Sequence, residues 1–231
     1  MATYKLKTPI SEGDVRKLRV NDVIYITGTM TTARDAAHRR ALEFHKEGKE
    51  LPINLQGLAV FHCGPIVKKE DEKWIVVAAG PTTSTRMDLF EDEFIKAFRV
   101  RVVIGKGGMG KKTTDAMKQY GAVYGAFTGG AAVLAAKAIK NVKSVEWYDL
   151  GMPEAMWILE VEDFGPLTIA IDAHGNNLFE DVQKKVIEGR LKIYQSWVHD
   201  QTSTSVREKT IDLSLSEARI GLQKSRGTGY R

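Results

Sequence analysis

Residues 74–98 read WIVVAAGPTTSTRMDLFEDEFIKAF, and this stretch indicates both the class of fold and the place to look for chemistry. Its first part is apolar and partly β-branched, which predicts a buried strand ending at Gly80. Its last part, 87–98, has the pattern of a helix. Between them lie three threonines, one serine and Arg86. Hydroxyl groups and a single arginine at a strand-to-helix junction suggest a site that holds a polar ligand.

The same succession of strand and helix recurs along the rest of the chain. The predicted strands before residue 150 include DVIYITG (ending at Gly28), GLAVFHCGP (breaking at Gly64-Pro65), VRVVIG and GAVYGAF, and the predicted helices lie at about 31–48, 87–98, 112–119 and 131–140. WILEVEDFGPLTIAID predicts an antiparallel pair that turns at Gly165-Pro166. A last helix is predicted from Leu178 to Ile187. The pattern is that of a mixed α/β domain.

The net charge of +5 is concentrated near the C-terminus. From Gln201 onward six basic residues face three acidic ones, so this segment carries +3. The remaining 200 residues carry only about +2, which excludes a basic nucleic-acid-binding surface on the body of the protein. We therefore predict a catalytic domain over residues 1–200 and a polar, basic extension over 201–231.

Cysteine content and hydropathy restrict the environment of the protein. The single cysteine, Cys63, excludes an internal disulfide and any metal site built from several thiolates of this chain. The apolar runs are too short to span a bilayer, so we expect no membrane association. No basic segment followed by an apolar one opens the chain, and no secretory signal is expected. The expected location is the cytoplasm.

Polar residues follow several of the predicted strands. Arg34, Arg86 and Lys106 lie in such segments, and in open α/β sheets ligands bind beyond the carboxyl ends of the strands. Each segment alone has a structural explanation, since threonines cap helices and glycines form turns. Taken together, the three cations suggest a small polyanionic ligand.

The segment GKGGMGKKT, residues 105–113, imitates two nucleotide-binding motifs. It matches G-x-G-x-x-G, but no acidic residue for a ribose follows about 20 residues later. It also approaches the P-loop pattern, but Lys112 stands where a magnesium-binding Ser or Thr is required. A P-loop-like nucleotide-binding module at 105–113 is kept as the alternative from another functional class.

Five motifs in order resemble the β-type half of the iron–sulfur hydro-lyases, the class I fumarases and L(+)-tartrate dehydratases. They are TGTMTTARDAAHRR, GPTTSTRMD, GKGGMG, LGMPEAMW and DAHGNNLF. The resemblance covers roughly residues 5–190. It implies a swivelling β/β/α domain with a mixed sheet. It also implies an α-type partner that holds a [4Fe-4S] cluster, a division that fits a chain with one cysteine.

The resemblance also implies roles for individual residues. Arg34, Arg86 and Lys106 fall on substrate-binding positions, where they would neutralise the carboxylates of a small dicarboxylate. Thr82 falls on the position proposed to remove the carbon-bound proton, and an open iron of the partner's cluster would act on the departing hydroxyl. The assembly would be a heterodimer or heterotetramer.

Several of these roles have alternatives. Thr82 either moves the proton or only binds substrate or caps a helix, because a threonine hydroxyl needs activation to act as a base. His38 is a second candidate for proton transfer, or it packs or pairs with Asp35. Asp35 is expected to orient Arg34 or His38, and Thr83 to support the site. We expect class I fumarase as the activity, with L(+)-tartrate dehydratase as the alternative.

Overall fold

Nine strands and six α-helices make up the part of the chain that the computed structural model describes, namely the backbone of residues 1–202 and the side chains of residues 1–195. The strands are β1 (Thr3–Lys7), β2 (Val23–Thr32), β3 (Ala59–Phe61), β4 (Ile66–Glu70), β5 (Lys73–Ala78), β6 (Val102–Gly105), β7 (Val123–Ala126), β8 (Ile139–Glu146) and β9 (Met156–Ile171). The helices are α1 (Glu12–Val15), α2 (Asp35–Lys46), α3 (Glu91–Phe98), α4 (Lys111–Tyr120), α5 (Ala132–Ala138) and α6 (Leu178–Thr202).

Seven of these strands form one mixed sheet that closes on itself. The strand order is β1-β2-β3-β6-β7-β9-β8, and an additional antiparallel pairing of β2 with β9 joins β2, β3, β6, β7 and β9 into a ring. The strands β2, β3, β6 and β7 run parallel to one another, so their carboxyl ends lie at one rim of this five-strand barrel. The predicted mixed α/β domain of the swivelling type is confirmed.

The parallel strands are buried on both faces because alternate residues enter two different cores. Phe61 of β3 and Ile104 of β6 point into the barrel, and they pack with residues of β2 and β9. Their neighbours Val60 and Val103 belong to a second core, which includes buried residues of α2, α3 and α4. Successive side chains of a strand point to opposite faces of the sheet, and these strands show that alternation. It explains why these strands read as continuous apolar runs.

The predicted hairpin at Gly165-Pro166 is wrong, since β9 is one strand of 16 residues. Its first half pairs with β8 and β2, and its second half pairs with β2 and β7. A β-carbon at Gly165 would lie 2.7 Å from the carbonyl oxygen of Ile24. Glycine is therefore required here for the close approach of β9 to β2, and the chain does not turn back.

The strand predicted to end at Gly28 continues to Thr32. Gly28 has φ +113°, a conformation that favours glycine, and a β-carbon there would collide with the Thr8 hydroxyl. The register of β2 against β9 shifts on the approach to this glycine. Gly28 thus marks a bulge inside a long strand, and bulges of this kind bend strands in closed sheets.

The strand predicted over 74–80 also differs from the structure. β5 pairs only with β4, in a two-stranded sheet, and its side chains alternate between half-buried and exposed. Trp74 and Val76 pack against the barrel core, whereas Ile75 and Val77 are 38% and 48% exposed. After β5 the chain forms a 3-10 turn over Ser84–Arg86, and α3 begins at Glu91, four residues later than predicted.

Residues Met1–Phe179 form one compact unit, and a second unit begins at Glu180. The last helix runs to Thr202 and is therefore 15 residues longer than predicted. The predicted basic extension at 201–231 lies almost wholly outside the described residues. No helix in the described part of the chain is both long and apolar enough to cross a membrane.

Candidate active site

The loop that follows β5 lies across the ends of β3 and β6. The Thr82 N–H donates to the His62 carbonyl at 2.6 Å, and the Lys106 N–H donates to the Thr82 carbonyl at 3.3 Å. The Ser84 N–H in turn donates to the Lys106 carbonyl at 2.9 Å. The hydroxyl-rich loop is thereby fixed at the rim, although β5 is not a strand of the barrel. The segments that carry Thr82, Ser84 and Lys106 are therefore in backbone contact at this rim.

Arg34 stands where β2 ends and α2 begins. Its side chain is half-buried, and Nη2 lies 3.1 Å from Glu154 Oε1. Its Nε is buried and has no hydrogen-bond partner among the described residues. A β-carbon at Gly64 would lie 2.7 Å from Arg34 Nη1, so glycine leaves the space that this guanidinium fills. Arg34 therefore has N–H groups that are not committed to Glu154.

Arg86 pairs with Asp35 at the start of α2. Arg86 Nη2 donates to Asp35 Oδ2 at 2.7 Å, and the Arg86 side chain is 53% exposed. An exposed pair of this kind contributes only about 0–1 kcal/mol, so a competing anion displaces it at little cost. The prediction that Asp35 orients Arg34 or His38 is wrong. The turn at Ser84–Arg86 brings Arg86 within reach of Asp35, a contact between residues 51 positions apart.

Lys106, Thr82 and Thr83 complete the predicted set at the rim. Lys106 is exposed, and its Nζ comes within 3.7 Å of the β-carbon position of Gly129, so the loops after β6 and β7 are neighbours. Thr83 is exposed and forms an isolated parallel bridge with Lys106. Thr82 is half-buried, and within residues 1–195 no hydrogen bond reaches its hydroxyl. The hydroxyl is therefore available to a ligand, and no described group activates it.

His38 lies behind the rim and is completely buried. Its Nδ1 is 2.9 Å from the Arg34 carbonyl, and its Nε2 is 3.2 Å from Glu91 Oε2. The ring packs against Phe94, with centroids 4.4 Å apart. The expected packing of His38 is confirmed, but its charged partner is Glu91 and not Asp35. With no exposed surface, the ring does not touch a ligand at the rim, and direct proton transfer to His38 is not supported.

Glu91 joins two histidines in this buried cluster. His62 Nε2 lies 3.1 Å from the same Oε2 atom, and all three side chains have zero exposure. Burial alone would raise the pKa of Glu91, but the neighbouring rings of His38 and His62 favour its ionised form and hold that pKa at about 2. Burial lowers the pKa of His62, against the opposing effect of Glu91. Glu91 is therefore a buried carboxylate at neutral pH.

These three residues also offer atoms of the kind that bind metals. Their ligand atoms lie within 4.8 Å of one another. However, His62 has both ring nitrogens engaged, since Nδ1 lies 2.9 Å from Ser84 Oγ and Nε2 faces Glu91. A metal ion would have to replace a proton that already satisfies the ring. Hydrogen bonding accounts for His62 without a metal.

The residues of this chain do not fit an iron–sulfur cluster. A cluster of this kind needs several thiolates, and the chain has one cysteine. Cys63 is completely buried, and burial raises its pKa to about 12, although Arg34 acts in the opposite direction. Its sulfur is a neutral thiol under ordinary conditions, and a thiol is not a ligand.

The GKGGMG segment does connect a strand to a helix, but its geometry does not favour a phosphate. Asp88 Oδ1 accepts the Gly110 N–H at 2.8 Å and the Thr113 hydroxyl at 2.7 Å, so a carboxylate already occupies the start of α4. A bound phosphate would meet that negative charge. A β-carbon at Gly108 would lie 2.8 Å from the Phe179 ring. Packing explains this glycine, and the nucleotide-binding alternative is disfavoured.

Two acidic residues of the site were not predicted from the sequence. Glu154 reaches Arg34 from 120 positions away, and nothing near it in the sequence indicates this contact. Glu91 did carry a signal, because it occupies the apolar face of α3 together with Phe94, Ile95 and Phe98. A charged residue at a helical core position indicates a buried partner of opposite charge.

The sequence matches one protein family over most of its length. A family model described as "Fumarase C-terminus" matches residues 2–182. L(+)-tartrate dehydratase subunit beta of Escherichia coli (strain K12) is 47% identical over 185 residues, which cover 80% of this chain and 90% of that protein. The protein named putative L(+)-tartrate dehydratase subunit beta of Methanocaldococcus jannaschii is 47% identical over 180 residues, covering 78% and 92%. The protein named putative fumarate hydratase class I of Geobacillus stearothermophilus is 43% identical over 184 residues, covering 79% of this chain but 35% of that longer protein.

The reactivity of Cys63 tests whether its thiol is buried and protonated. Burial raises the pKa of Cys63 to about 12, so the thiol is protonated at pH 8, and the side chain is shielded from solvent. We expect no reaction of the native protein with a thiol-specific disulfide reagent on the timescale of minutes. The same protein in denaturant should release one equivalent of the chromophore, and Cys63→Ala should release none. Rapid reaction of the native protein would show that the thiol is accessible and could serve as a ligand.

Proposed function

The chain belongs to the fumarase C-terminus family, as a β-type subunit of the iron–sulfur hydro-lyases, and we propose that it forms half of an active site that a separate α-type chain completes. The observation that carries this proposal is the rim of the barrel. Arg34, Arg86 and Lys106 lie there in the segments after β2, β5 and β6, and the half-buried Thr82 is held between the ends of β3 and β6. The printed names of the nearly full-length relatives, which call them beta subunits, support a partner.

The proposed substrate is a small dicarboxylate that carries a hydroxyl group. Two carboxylates must be neutralised when the substrate leaves water, and arginine binds a carboxylate through two parallel N–H groups. Arg34 has a buried Nε without a partner, and Arg86 is held only by a weak exposed pair with Asp35. Lys106 adds a third cation at the rim. The three cations outnumber the two carboxylates, Glu154 and Asp35, that pair with them in the described structure.

L(+)-tartrate is the substrate that the relatives' names support better. Two relatives that this chain covers almost completely carry the name tartrate dehydratase, whereas the one named fumarate hydratase is matched over about a third of its length. The sequence-based preference for class I fumarase is therefore replaced by its alternative. Fumarate hydration is retained as the second candidate, because that 43% identical protein bears its name.

We assign the proton transfer at carbon to Thr82. The backbone of Thr82 is hydrogen-bonded on both sides, to the His62 carbonyl and to the Lys106 N–H. The Thr82 side chain therefore extends from a fixed backbone position at the rim. A threonine hydroxyl acts as a base only when a neighbouring group activates it. Because the described residues supply no such group, the α-type chain is the proposed source of the activation.

A [4Fe-4S] cluster is assigned to the α-type partner, because the residues of this chain do not fit one. Cys63 is a single, buried, protonated thiol. The contribution of this chain is then to bind, orient and deprotonate the dicarboxylate. A heterodimer or heterotetramer is the proposed assembly.

The first test of this function is reconstitution. The chain alone, purified without oxygen and supplied with iron and sulfide, should bind no cluster and dehydrate neither L(+)-tartrate nor L-malate. Co-expressed with an α-type chain of the same family, it should form a complex that dehydrates one of them. We expect a higher kcat/KM for L(+)-tartrate than for L-malate.

The outcomes of this experiment separate the candidates. A higher kcat/KM for L-malate would favour the fumarase alternative. Activity of the isolated chain would contradict the shared active site. A well-formed complex with no activity on either hydroxy acid would contradict the proposed function as a whole.

The second test concerns the cations. Arg86→Lys keeps the charge but loses the two-pronged geometry, and we expect a loss of about 1.5–3 kcal/mol of transition-state binding, roughly 10- to 150-fold in kcat/KM. Arg34→Ala and Lys106→Ala should cost at least as much. Arg39→Lys and Lys112→Ala change exposed cations on α2 and α4 and serve as matched controls. Wild-type kcat/KM in all three site variants would exclude the cations from the site.

The third test distinguishes the two roles of Thr82. If its hydroxyl moves the proton, Thr82→Ala should lower kcat by orders of magnitude with little change in KM, the pattern of an interaction made only in the transition state. Thr82→Ser keeps the hydroxyl and should retain much of the activity. Exchange of the carbon-bound proton of the substrate with solvent, followed by NMR, isolates this step. Exchange at the wild-type rate in Thr82→Ala would mean that another group is the base.

A further inference from the structure

A buried network of hydrogen bonds and one close His38–Glu91 pair runs behind the rim and joins the segments that carry the two arginines. Tyr124 OH donates to Ser84 Oγ at 2.9 Å, and Ser84 Oγ lies 2.9 Å from His62 Nδ1. His62 Nε2 is 3.1 Å from Glu91 Oε2, and that oxygen is 3.2 Å from His38 Nε2. All five side chains have zero exposure. The network is thus insulated from solvent, and it ends at the Arg34 carbonyl.

The positions of the hydrogens follow from the acceptors. The Arg34 carbonyl only accepts, so His38 Nδ1 carries a hydrogen. Ser84 receives the hydrogen of Tyr124 and gives its own to His62 Nδ1, which leaves the other ring hydrogen of His62 to donate to Glu91. A bare His38 Nε2 would point a lone pair at the same carboxylate oxygen.

A buried polar network of this kind lowers the stability of the fold, which is unusual for side chains with only a structural role. The second carboxylate oxygen, Glu91 Oε1, is buried without a hydrogen-bond partner among the described residues. His38 Nε2 likewise makes no hydrogen bond there, although it lies 3.2 Å from Glu91 Oε2. Buried ion pairs often contribute less stability than apolar side chains of similar volume. A buried polar group with an unsatisfied atom adds a further cost. Buried charges and unpaired buried polar atoms of this kind are expected at functional sites.

We propose that Glu91 is a positioning residue for the dicarboxylate site. Through His38 it holds the Arg34 backbone, at the junction of β2 and α2. Through His62 and Ser84 it holds the loop that carries Thr82 and Arg86. The proposal rests on the proposed function for the identity of the ligand, but the positioning itself is a property of this chain.

Gly105 connects the third cation to the same network. A β-carbon at Gly105 would collide with Ser84 Oγ, and it would lie 3.2 Å from Tyr124 OH and 3.3 Å from His62 Nδ1. The first glycine of GKGGMG is therefore required by the network itself. Because Lys106 is the next residue, its backbone position is set by the same contacts.

The variant Glu91→Gln tests the proposal. The amide keeps the shape of the side chain but removes the negative charge of the carboxylate. A neutral amide should hold the rings of His38 and His62 less firmly than the carboxylate oxygen that now lies beside both. We expect faster amide hydrogen exchange in peptides that cover residues 34–38 and 81–86 of the full chain, measured by mass spectrometry. Glu93→Gln makes the same chemical change at an exposed position of α3 and is the matched control. Unchanged exchange in both segments of Glu91→Gln would overturn the proposal whether or not the assembled protein is a hydro-lyase.

Kinetics of the reconstituted complex add a readout that loss of stability alone would not give. Misplacing a clamp residue by an ångström costs up to about 100-fold in rate, and we expect Glu91→Gln to lose roughly 10- to 100-fold in kcat/KM. If Glu91 acts through Arg34, the losses of Glu91→Gln and Arg34→Ala should be less than additive in the double variant. Fully additive losses would contradict the Arg34 branch. An inactive wild-type complex would refute the proposed function and leave the exchange experiment to decide on Glu91.

A second variant covers the case in which Glu91→Gln does not fold. Ser84→Ala removes one hydroxyl from the His62 branch and leaves the buried charges in place. It should accelerate exchange in residues 81–86 and leave residues 34–38 unchanged. Wild-type exchange in 81–86 would overturn the proposal for that branch.

Discussion

The pairing of β2 with β9 is the constraint on which the rest of the structure depends. It closes five strands into a ring and so brings the carboxyl ends of four parallel strands to one rim. Both strands are long enough to have different neighbours along their length, and both need a glycine where the backbones approach or bend, at Gly28 and Gly165. Without this closure, the segments after β2 and β7 would lie three strands apart in an open sheet.

The resulting rim carries three cationic side chains, and two of them are paired with carboxylates. Arg34 and Arg86 each have an acidic partner, and the two arginine side chains differ in exposure, at 20% and 53%. The Arg86–Asp35 pair is exposed and yields easily to another carboxylate, whereas Arg34 is held in place by its surroundings and by the buried network behind it. This combination of one fixed and one adjustable arginine suits a ligand that must enter and leave. A rim of this kind suits a dianion, and the described residues supply neither the thiolates that a cluster needs nor a group that activates Thr82.

The sequence predicts what local patterns determine, and it fails where distant contacts decide. The α/β class, the start of α4 and the positions of Arg34 and Lys106 just after barrel strands follow from apolar runs and from the polar residues after them. The hairpin predicted at Gly165-Pro166 was wrong because a glycine required for close strand packing looks the same as one required for a turn. The partner of Asp35 was missed because it lies on a distant loop. Glu91 was overlooked although an acidic residue on the apolar face of its helix was visible in the pattern.

The central claim is that this chain supplies the dicarboxylate-binding half of a shared active site. It is tested most directly by the structure of the assembled α–β complex with an unreactive dicarboxylate bound. The account predicts ligand carboxylate oxygens about 3 Å from the guanidinium groups of Arg34 and Arg86 and from Lys106 Nζ. It also predicts that the Thr82 hydroxyl faces the ligand carbon that would lose its proton. A ligand bound elsewhere, with Arg34 and Arg86 still paired only with Glu154 and Asp35, would contradict it.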